Sequence, residues 1–339
     1  MKSILCVRLD SIGDVLMTTP AMRALRESLG CSITLLTSAA GAVVAPLVPE
    51  IDDTLVFAAP WMKASGQQPG DDRELIAALG ARGFDAAVIF TVYSQSALPA
   101  AYLCYLAGIP RRVAHCRENP YQLLTDWVSD PEPASLIRHE VRRQLDLVAT
   151  LGCSTADERL SFRVPVAARA SAAGLRNGKP LVVVHPGASA ASRRYPPEHY
   201  SRAIDLLVAE TGCDAVFTGD AHESGLVEGI RAAMRHRSRA LVGELDLGEL
   251  GALIDEADLL VSNNTGPAHI AAALGTPVVD LYALTNPQHT PWLVPSRVLN
   301  HDVPCRNCYK SVCPAGHHDC LRKVPPESVA AAARELLAI

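Results

Sequence analysis

The stretch Leu259-Leu260-Val261-Ser262-Asn263-Asn264-Thr265-Gly266-Pro267-Ala268-His269 decides the fold of this chain, because an apolar run ends there in a polar turn. A short apolar run bounded by turn residues indicates a buried strand over residues 259–262. Pro267 suits the first position of a helix, which predicts Gly266 as its cap and a helix over residues 267–274. Backbone N–H groups that lack helical partners at such a turn attract an anion.

The same succession of strand, turn and helix fills two blocks on either side of a connection predicted at residues 163–180. In the first block we predict strands at 3–9, 32–37, 54–57, 86–90 and 111–114, with helices at 15–29, 74–81, 95–107 and 141–151. In the second block the strands are 181–185, 215–218, 240–242, 259–262 and 278–282, and the helices are 197–209, 224–234, 247–256, 267–274 and 327–337. Strands that alternate with helices predict an α/β fold with two parallel sheets and a ligand cleft at their carboxyl ends.

The composition excludes several classes of protein. The 339 residues are 49% apolar and 20% charged, which is typical of a globular chain, and the net charge of −5 argues against general nucleic-acid binding. No apolar run reaches the ~18 residues of a transmembrane segment, and no signal-peptide pattern begins the sequence. We therefore expect a cytoplasmic protein.

A second junction between a strand and a helix is Arg8-Leu9-Asp10-Ser11-Ile12-Gly13-Asp14. Gly13 lets the backbone approach a ligand, and Asp14 falls in the first helical turn, where the helix dipole favours a carboxylate. Helix capping by Asp10 or Asp14 is the alternative explanation. Because ligands of parallel sheets bind beyond the carboxyl ends of strands, the junction is a candidate site.

The third junction is His185-Pro186-Gly187-Ala188-Ser189, which is followed by Arg193 and Arg194. Small residues such as Ser189 expose backbone N–H groups, and the forked guanidinium group suits phosphate. A solvated loop with two surface arginines is the alternative interpretation.

Taken together, residues 8–20, 185–196, 262–277 and a cysteine-rich tail resemble glycosyltransferase family 9, best known for the ADP-heptose:lipopolysaccharide heptosyltransferases. The most specific block is Asn-Thr-Gly-Pro-x-His-x-Ala-Ala-x-Leu-Gly-Thr-Pro at residues 264–277. The resemblance implies a GT-B fold, in which two Rossmann-like domains face a central cleft. The domains would be an acceptor-binding domain at residues 1–165 and a nucleotide-sugar-binding domain at 176–325. A C-terminal helix within 326–339 would pack back towards the N-terminal domain.

The resemblance also implies roles for single residues. Asp14 falls on the proposed catalytic base of the family, and Arg193, Thr265, Gly266 and His269 fall on its contacts to the donor diphosphate and sugar. The family usually has Asp where this chain has Asn264, so a contact to a sugar hydroxyl would keep an amide but lose a charge. Together with the residues taken from the turns, the predicted donor site is Gly13, Ser189, Arg193, Arg194, Asn264, Thr265, Gly266 and His269, with Asp220 or Glu223 on the nucleoside ribose.

The acceptor implied by the resemblance is a lipid-linked or other glycan at the surface of the inner membrane, where the enzyme would be peripheral. Arg111, Arg112 and Arg117 in the first domain are the residues that we expect to bind its acidic groups. Charged runs also mark solvated faces, which is the alternative for this basic cluster.

Four cysteines, Cys305, Cys308, Cys313 and Cys320, lie within sixteen residues near the C-terminus. A structural zinc site is one interpretation of this cluster, and iron–sulfur ligation, reduced thiols and disulfides are the others. Since arginines and a helix start already supply positive charge, we expect catalysis to require no metal or other cofactor beyond the nucleotide-sugar donor.

The predicted reaction is an inverting sugar transfer from a nucleotide sugar, ADP-heptose by resemblance, to an acceptor hydroxyl, with Asp14 as general base. Two rival functions stay open at this stage. One is a sugar-nucleotide epimerase on the same fold, which would act on donor alone. The other is a non-catalytic metal- or redox-responsive binding protein that uses the cysteine cluster.

Overall fold

The computed structural model describes residues 1–62 and 71–338, and the described chain divides into two compact units, Met1–Ser161 and Phe162–Ile339. Each unit contains a six-stranded sheet whose paired strands are all parallel. Among the described residues, no helix is both long enough and apolar enough to cross a membrane. The α/β class predicted from the alternating pattern is confirmed.

In the first unit, the strands follow the sheet order β3-β2-β1-β4-β5-β6. This is the doubly wound order, in which the chain reverses direction across the sheet between β1 and β4. The strands are β1 (Ser3–Arg8), β2 (Ser32–Thr37), β3 (Asp53–Val56), β4 (Ala86–Ile89), β5 (Arg111–Cys116) and β6 (Asp126–Ser129). The helices are α1 (Ile12–Leu29), α2 (Ala39–Ala42), α3 (Asp71–Arg82), α4 (Leu98–Leu106) and α5 (Glu140–Ala149).

The second unit repeats this order as β12-β11-β10-β7-β8-β9, so its reversal point lies between β7 and β10. Its strands are β7 (Leu181–His185), β8 (Asp214–Gly219), β9 (Arg239–Val242), β10 (Leu259–Asn263), β11 (Val278–Leu281) and β12 (Ser296–Leu299). Its helices are α6 (Val166–Ala173), α7 (Pro197–Thr211), α8 (Ser224–Ala233), α9 (Leu247–Glu256), α10 (Gly266–Leu274), α11 (Asp319–Arg322) and α12 (Pro326–Leu337).

The helix α6, which the sequence analysis does not predict, lies inside the stretch expected to connect the domains. The segment is rich in alanine, the residue with the highest helix propensity, and it buries Ala168 and Ala172. The last helix, α12, packs against α7, and its buried face joins the core of the second unit. Its predicted packing towards the N-terminal domain stays a prediction, as do the predicted domain boundaries.

Candidate functional site

In the first unit, the turn after β1 is built around a buried arginine. The Arg8 side chain is fully buried, and its guanidinium meets three carboxylates: Nη1 lies 2.8 Å from Glu140 Oε1, Nη2 3.0 Å from Asp14 Oδ1, and Nε 3.1 Å from Asp10 Oδ2. The contact to Asp10 is an ion pair without hydrogen-bond geometry. Burial would lower the pKa of Arg8, but the three carboxylates raise it, so the cation persists.

Asp14 is held in place on both of its carboxylate oxygens. Arg8 donates to Oδ1, while the backbone N–H and the hydroxyl of Ser11 donate to Oδ2 at 3.2 and 2.7 Å. Ser11 is the N-cap of α1, and Gly13 is buried in its first turn. Asp14 therefore has a fixed orientation at a positive helix end, with 17% of its side chain exposed.

The neighbouring carboxyl, Asp10, opens into a cavity of about 300 Å³. Gln95 donates to Asp10 Oδ1 at 2.7 Å, and the apolar walls of the cavity include Trp61 and Phe90. Burial raises the pKa of Asp10 to about 6, with Arg8 opposing that rise and Asp14 adding to it. The sequence offered Asp10 only as a cap, and nothing in it pointed to Gln95 or Trp61.

The predicted acceptor arginines fall at two different ends of β5. Arg111 and Arg112 begin the strand, at the amino edge of the sheet, whereas Asp10 and Asp14 follow the carboxyl end of β1. Arg111 pairs with Asp126, and Arg112 donates to the main-chain carbonyls of Ile109, Gln122 and Leu123. These contacts favour a structural role for both residues, because strand register sets them far from the carboxyl edge.

Arg117 differs from those two arginines because it follows the carboxyl end of β5 and is exposed. Of the three predicted acceptor residues, it alone lies on the edge of the sheet where ligands of this fold bind.

In the second unit, Asn263 connects the turns that follow β7 and β10. Its Nδ2 donates to the carbonyl of Pro186 at 2.7 Å, and its Oδ1 accepts from the N–H of Tyr195 at 3.0 Å. Arg194 donates to the carbonyl of Ala188 at 2.7 Å, while Ser189 is exposed. The predicted residues of these two turns are therefore brought together at the reversal point of the sheet.

The helix α10 begins at Gly266 and has Thr265 as its N-cap, one residue earlier than predicted. Thr265 takes the extended backbone conformation that an N-cap requires, so the glycine is free to enter the helix. The N–H of Ala268 donates to the carbonyl of Thr265 at 3.1 Å and is not one of the donors left for an anion. His269 is buried in the same first turn.

Arg193 supplies a cation on the loop that Asn263 holds. It is half-buried at the end of a short 3₁₀ helix, Ala191–Arg193, two residues before Tyr195, whose N–H donates to Asn263 Oδ1. Within residues 1–62 and 71–338, its guanidinium takes part in no hydrogen bond or ion pair. A cation without a protein partner, on a loop tied to the turn that begins α10, is an arrangement that suits a diphosphate.

The two acids predicted for the ribose are parts of one cap after β8. The Asp220 N–H donates to Glu223 Oε2 at 3.0 Å, and Asp220 Oδ1 accepts from the His222 N–H at 2.8 Å. The Glu223 carboxylate lies against Gly187, where an added Cβ would come within 1.8 Å of Oε1. Glu223 is thus the half-buried acid next to the turn after β7, and Asp220 is the exposed one.

The cysteine cluster surrounds a small cavity of about 20 Å³ that His317 and His318 also line. Burial would raise the pKa of the Cys313 thiol, but backbone N–H groups, among them that of His318, lower it. Cys305 Sγ lies 3.7 Å from His317 Nε2. Across the described part of the chain, however, no three His, Cys, Asp or Glu side chains meet in a group that could hold a metal ion.

A comparison with known protein families identifies the family of this chain. The model of glycosyltransferase family 9 (heptosyltransferase) matches residues 73–318. The chain belongs to glycosyltransferase family 9. As a member of glycosyltransferase family 9 it is an enzyme that transfers a sugar.

Relatives of glycosyltransferase family 9 match this chain along its length. Lipopolysaccharide heptosyltransferase 2 of Escherichia coli K12 is 27% identical over 347 residues and covers 96% of each chain. Among solved structures, a family 9 glycosyl transferase of Veillonella parvula has a TM-score of 0.80 at 23% identity over 99% of this chain and 97% of its own. The E. coli ADP-heptose lipopolysaccharide heptosyltransferase II has a TM-score of 0.77 at 24% identity over 100% and 99%. These likenesses confirm the predicted GT-B fold.

Proposed function

We propose that this glycosyltransferase moves heptose from ADP-heptose to a hydroxyl of a lipopolysaccharide-core or related glycan, with inversion. The observation that carries the proposal is the uncommitted guanidinium of Arg193, which lies on a loop that the hydrogen bond from Tyr195 to Asn263 ties to the turn before α10. The two E. coli relatives named above, which are lipopolysaccharide heptosyltransferases, support this choice of donor and acceptor.

The leaving diphosphate gains negative charge as the glycosidic bond breaks. Arg193 and the N–H groups at the start of α10 supply fixed positive ends for that charge, which lowers the barrier without a metal ion. Thr265 adds a hydroxyl, and Ser189, Arg194 and His269 complete the donor site that we propose. Glu223 rather than Asp220 is the acid that we assign to the ribose, because Glu223 lies against the backbone of Gly187.

A proton must leave the acceptor hydroxyl as its oxygen attacks the anomeric carbon. We assign Asp14 as the general base that receives this proton, since its carboxylate is fixed by Arg8 and Ser11. Asp10 is the second candidate for that role, because it opens into the cavity and its pKa is raised to about 6. A base with a pKa nearer neutrality accepts a proton more readily.

We propose the cavity beside Asp10 as the place of the acceptor sugar in the first unit. Gln95 and Asp10 would hold its hydroxyls, and Trp61 offers an aromatic face to its ring. Arg117, exposed at the same sheet edge, is the residue that we retain for an acidic group of the acceptor. Because such an acceptor is lipid-linked, the enzyme would work in the cytoplasm at the inner membrane surface.

The thiols of the cysteine cluster match the chemistry of a zinc site, and the lowered pKa of Cys313 favours the thiolate that zinc binds. Their spacing in the described structure does not bring three ligands together. We therefore assign the cluster no step in the transfer, and the structural zinc predicted from the sequence stays a prediction.

The experiment that tests the function is calorimetry with ADP and ADP-heptose, followed by an assay of heptose transfer with and without a lipopolysaccharide-core acceptor. We expect both nucleotides to bind and a heptosylated product to form only when acceptor is present. A changed free sugar from donor alone would instead identify an epimerase. Absence of binding to either nucleotide would overturn the proposal.

A further inference from the structure

The side chain of Asn264, directly before the N-cap of α10, is held at its nitrogen by two acceptors. Nδ2 donates to Asp280 Oδ2 at 3.2 Å and to the main-chain carbonyl of His289 at 2.7 Å. A carbonyl oxygen only accepts, so the contact to His289 fixes which end of the amide is the nitrogen. The carbonyl oxygen Oδ1 of Asn264 consequently lies on the opposite side of the amide.

That oxygen is left for a ligand. Asn264 Oδ1 accepts no hydrogen bond from any residue that the structure describes, and it is not among the polar atoms closed off from solvent. Asn264 as a whole is 6% exposed. A hydrogen-bond acceptor therefore stands beside the N–H groups that begin α10.

Asp280 is an unusual residue at its position. It lies in β11 opposite Ser262 of β10, between apolar neighbours, and it is fully buried. Its second oxygen, Oδ1, finds no hydrogen-bond partner among residues 1–62 and 71–338. Burial raises the pKa of Asp280 to about 8, against the opposing effect of Asn264. Burying such a group costs free energy, and among the described residues Asn264 is the only side chain that donates a hydrogen bond to it.

The second acceptor is itself fixed. The N–H of His289 donates to the Tyr282 hydroxyl at 3.2 Å, which holds the segment after β11 against the end of that strand. Asp280 and His289, which belong to one continuous segment of the chain, thus accept hydrogen bonds from both N–H groups of the Asn264 amide. These N–H groups are therefore not available to a ligand.

We propose that Asp280 is a positioning residue for the donor sugar: it holds Asn264 so that the Oδ1 oxygen accepts a hydrogen bond from a sugar hydroxyl. This inference rests on the proposed function, because it needs a nucleotide-diphosphate sugar at the start of α10. A neutral acceptor reads the hydroxyl without placing negative charge beside the diphosphate. Asp280 and Asn264 thereby contribute to the affinity for the sugar and not to the affinity for the nucleotide.

The first test compares the affinities of Asp280→Ala for ADP and for ADP-heptose by calorimetry. Loss of one hydrogen bond to Asn264 should weaken ADP-heptose binding about 5–10-fold. Binding of ADP should not change, since ADP lacks the sugar. Asp280→Asn is the matched control, because its amide oxygen can still accept from Asn264, and it should bind ADP-heptose like the wild type. Equal losses for ADP and ADP-heptose would overturn the inference in favour of a purely structural role.

The second test removes the proposed acceptor itself and does not depend on whether Asp280→Ala folds. Asn264→Ala lacks the Oδ1 oxygen and should weaken ADP-heptose binding about 5–10-fold, with ADP binding unchanged. Asp280→Leu replaces the buried carboxyl by an apolar side chain of similar size and should give the same loss, and Asn264→Ala/Asp280→Leu should bind no more weakly than Asn264→Ala, because both changes remove the same contact. Additive losses in the double variant would overturn the inference. Failure of wild-type protein to bind ADP would instead overturn the proposed function, so the two failures are distinguishable.

Discussion

The two sheets have the same strand order, yet their carboxyl edges carry different kinds of polar group. In the first unit the turn after β1 gathers three carboxylates around the buried guanidinium of Arg8. In the second unit the turn after β10 is joined by the neutral amides of Asn263 and Asn264. One edge thus offers bases for a proton. At the other edge the amides hold the turns in place, and the N–H groups that begin α10 together with the Arg193 guanidinium offer donors for an anion, which is the division of work that glycosyl transfer requires.

The largest expected effect tests the first edge. Asp14→Asn should lower kcat by ~10²–10⁴-fold, the contribution typical of a positioned general base. Calorimetry with ADP should give unchanged affinity, because the nucleotide is assigned to the other unit. Asp10→Asn is the matched comparison and should cost much less. If Asp10→Asn lost the greater part of kcat while Asp14→Asn kept it, the assignment would pass to Asp10, the carboxyl that opens into the cavity.

The buried charges of the first unit should also dominate its stability. Arg8→Met leaves Glu140 buried without its cation, and chemical denaturation should show a loss of about 3–5 kcal/mol in the free energy of unfolding. Arg8→Met/Glu140→Leu removes both charges and should recover part of that loss. In the second unit, Asn263→Ala breaks neutral hydrogen bonds and should cost about 1–3 kcal/mol. Similar losses in the free energy of unfolding for Arg8→Met and Asn263→Ala would contradict the proposed difference between the two edges.

The variant Arg193→Ala tests the proposed anion site of the second unit. Charged hydrogen bonds are worth ~1.5–3 kcal/mol, so the affinity for ADP measured by calorimetry should fall about 10–100-fold. Arg202→Ala is a suitable control, since Arg202 forms an exposed ion pair with Glu327 in the same unit. Unchanged ADP affinity in Arg193→Ala would remove the cation from the diphosphate site.

The sequence predicted the elements that carry a strong local pattern. The second and seventh strands and the helix α9 have the bounds predicted for them. The short strands β6 and β12 were not predicted from the sequence. Both lie at sheet edges and are only half-buried, so their residues show little hydrophobic periodicity.

The candidate site divides in the same way. Turns such as 262–266 can be predicted, because the residues that form them are adjacent in the sequence. The pairing of Arg8 with Glu140 joins residues 132 positions apart, and only the folded sheet brings them together. Asp280 did leave a signal, since it is a single charge in an otherwise apolar strand, but its partner Asn264 could not be inferred from spacing. Charge made Arg111 and Arg112 candidates for the acceptor, but their ion-pair and main-chain partners lie 10 to 15 residues away or in a turn and could not be inferred from spacing.

The last prediction concerns how the two edges respond to pH. Burial raises the pKa of Asp280 to about 8 and that of Asp10 only to about 6, because Asp10 lies beside the Arg8 cation. Each group stays protonated in the folded chain at pH values where the unfolded chain has already ionised. Its contribution to stability is therefore complete below the ordinary pKa of 3.8 and is lost as the pH rises towards the folded value.

Within that window, each group should lower the free energy of unfolding by ~1.4 kcal/mol per pH unit. Denaturation measured across the window should show that Asp280→Asn removes this slope as far as about pH 8, whereas Asp10→Asn removes it only to about pH 6. A curve for Asp280→Asn that runs parallel to the wild type would mean that Asp280 is ionised in the folded protein. The turn after β10 would then carry a buried negative charge next to the diphosphate site, and the contrast between the charged turn after β1 and the neutral turn after β10 would fail where it matters most for the donor.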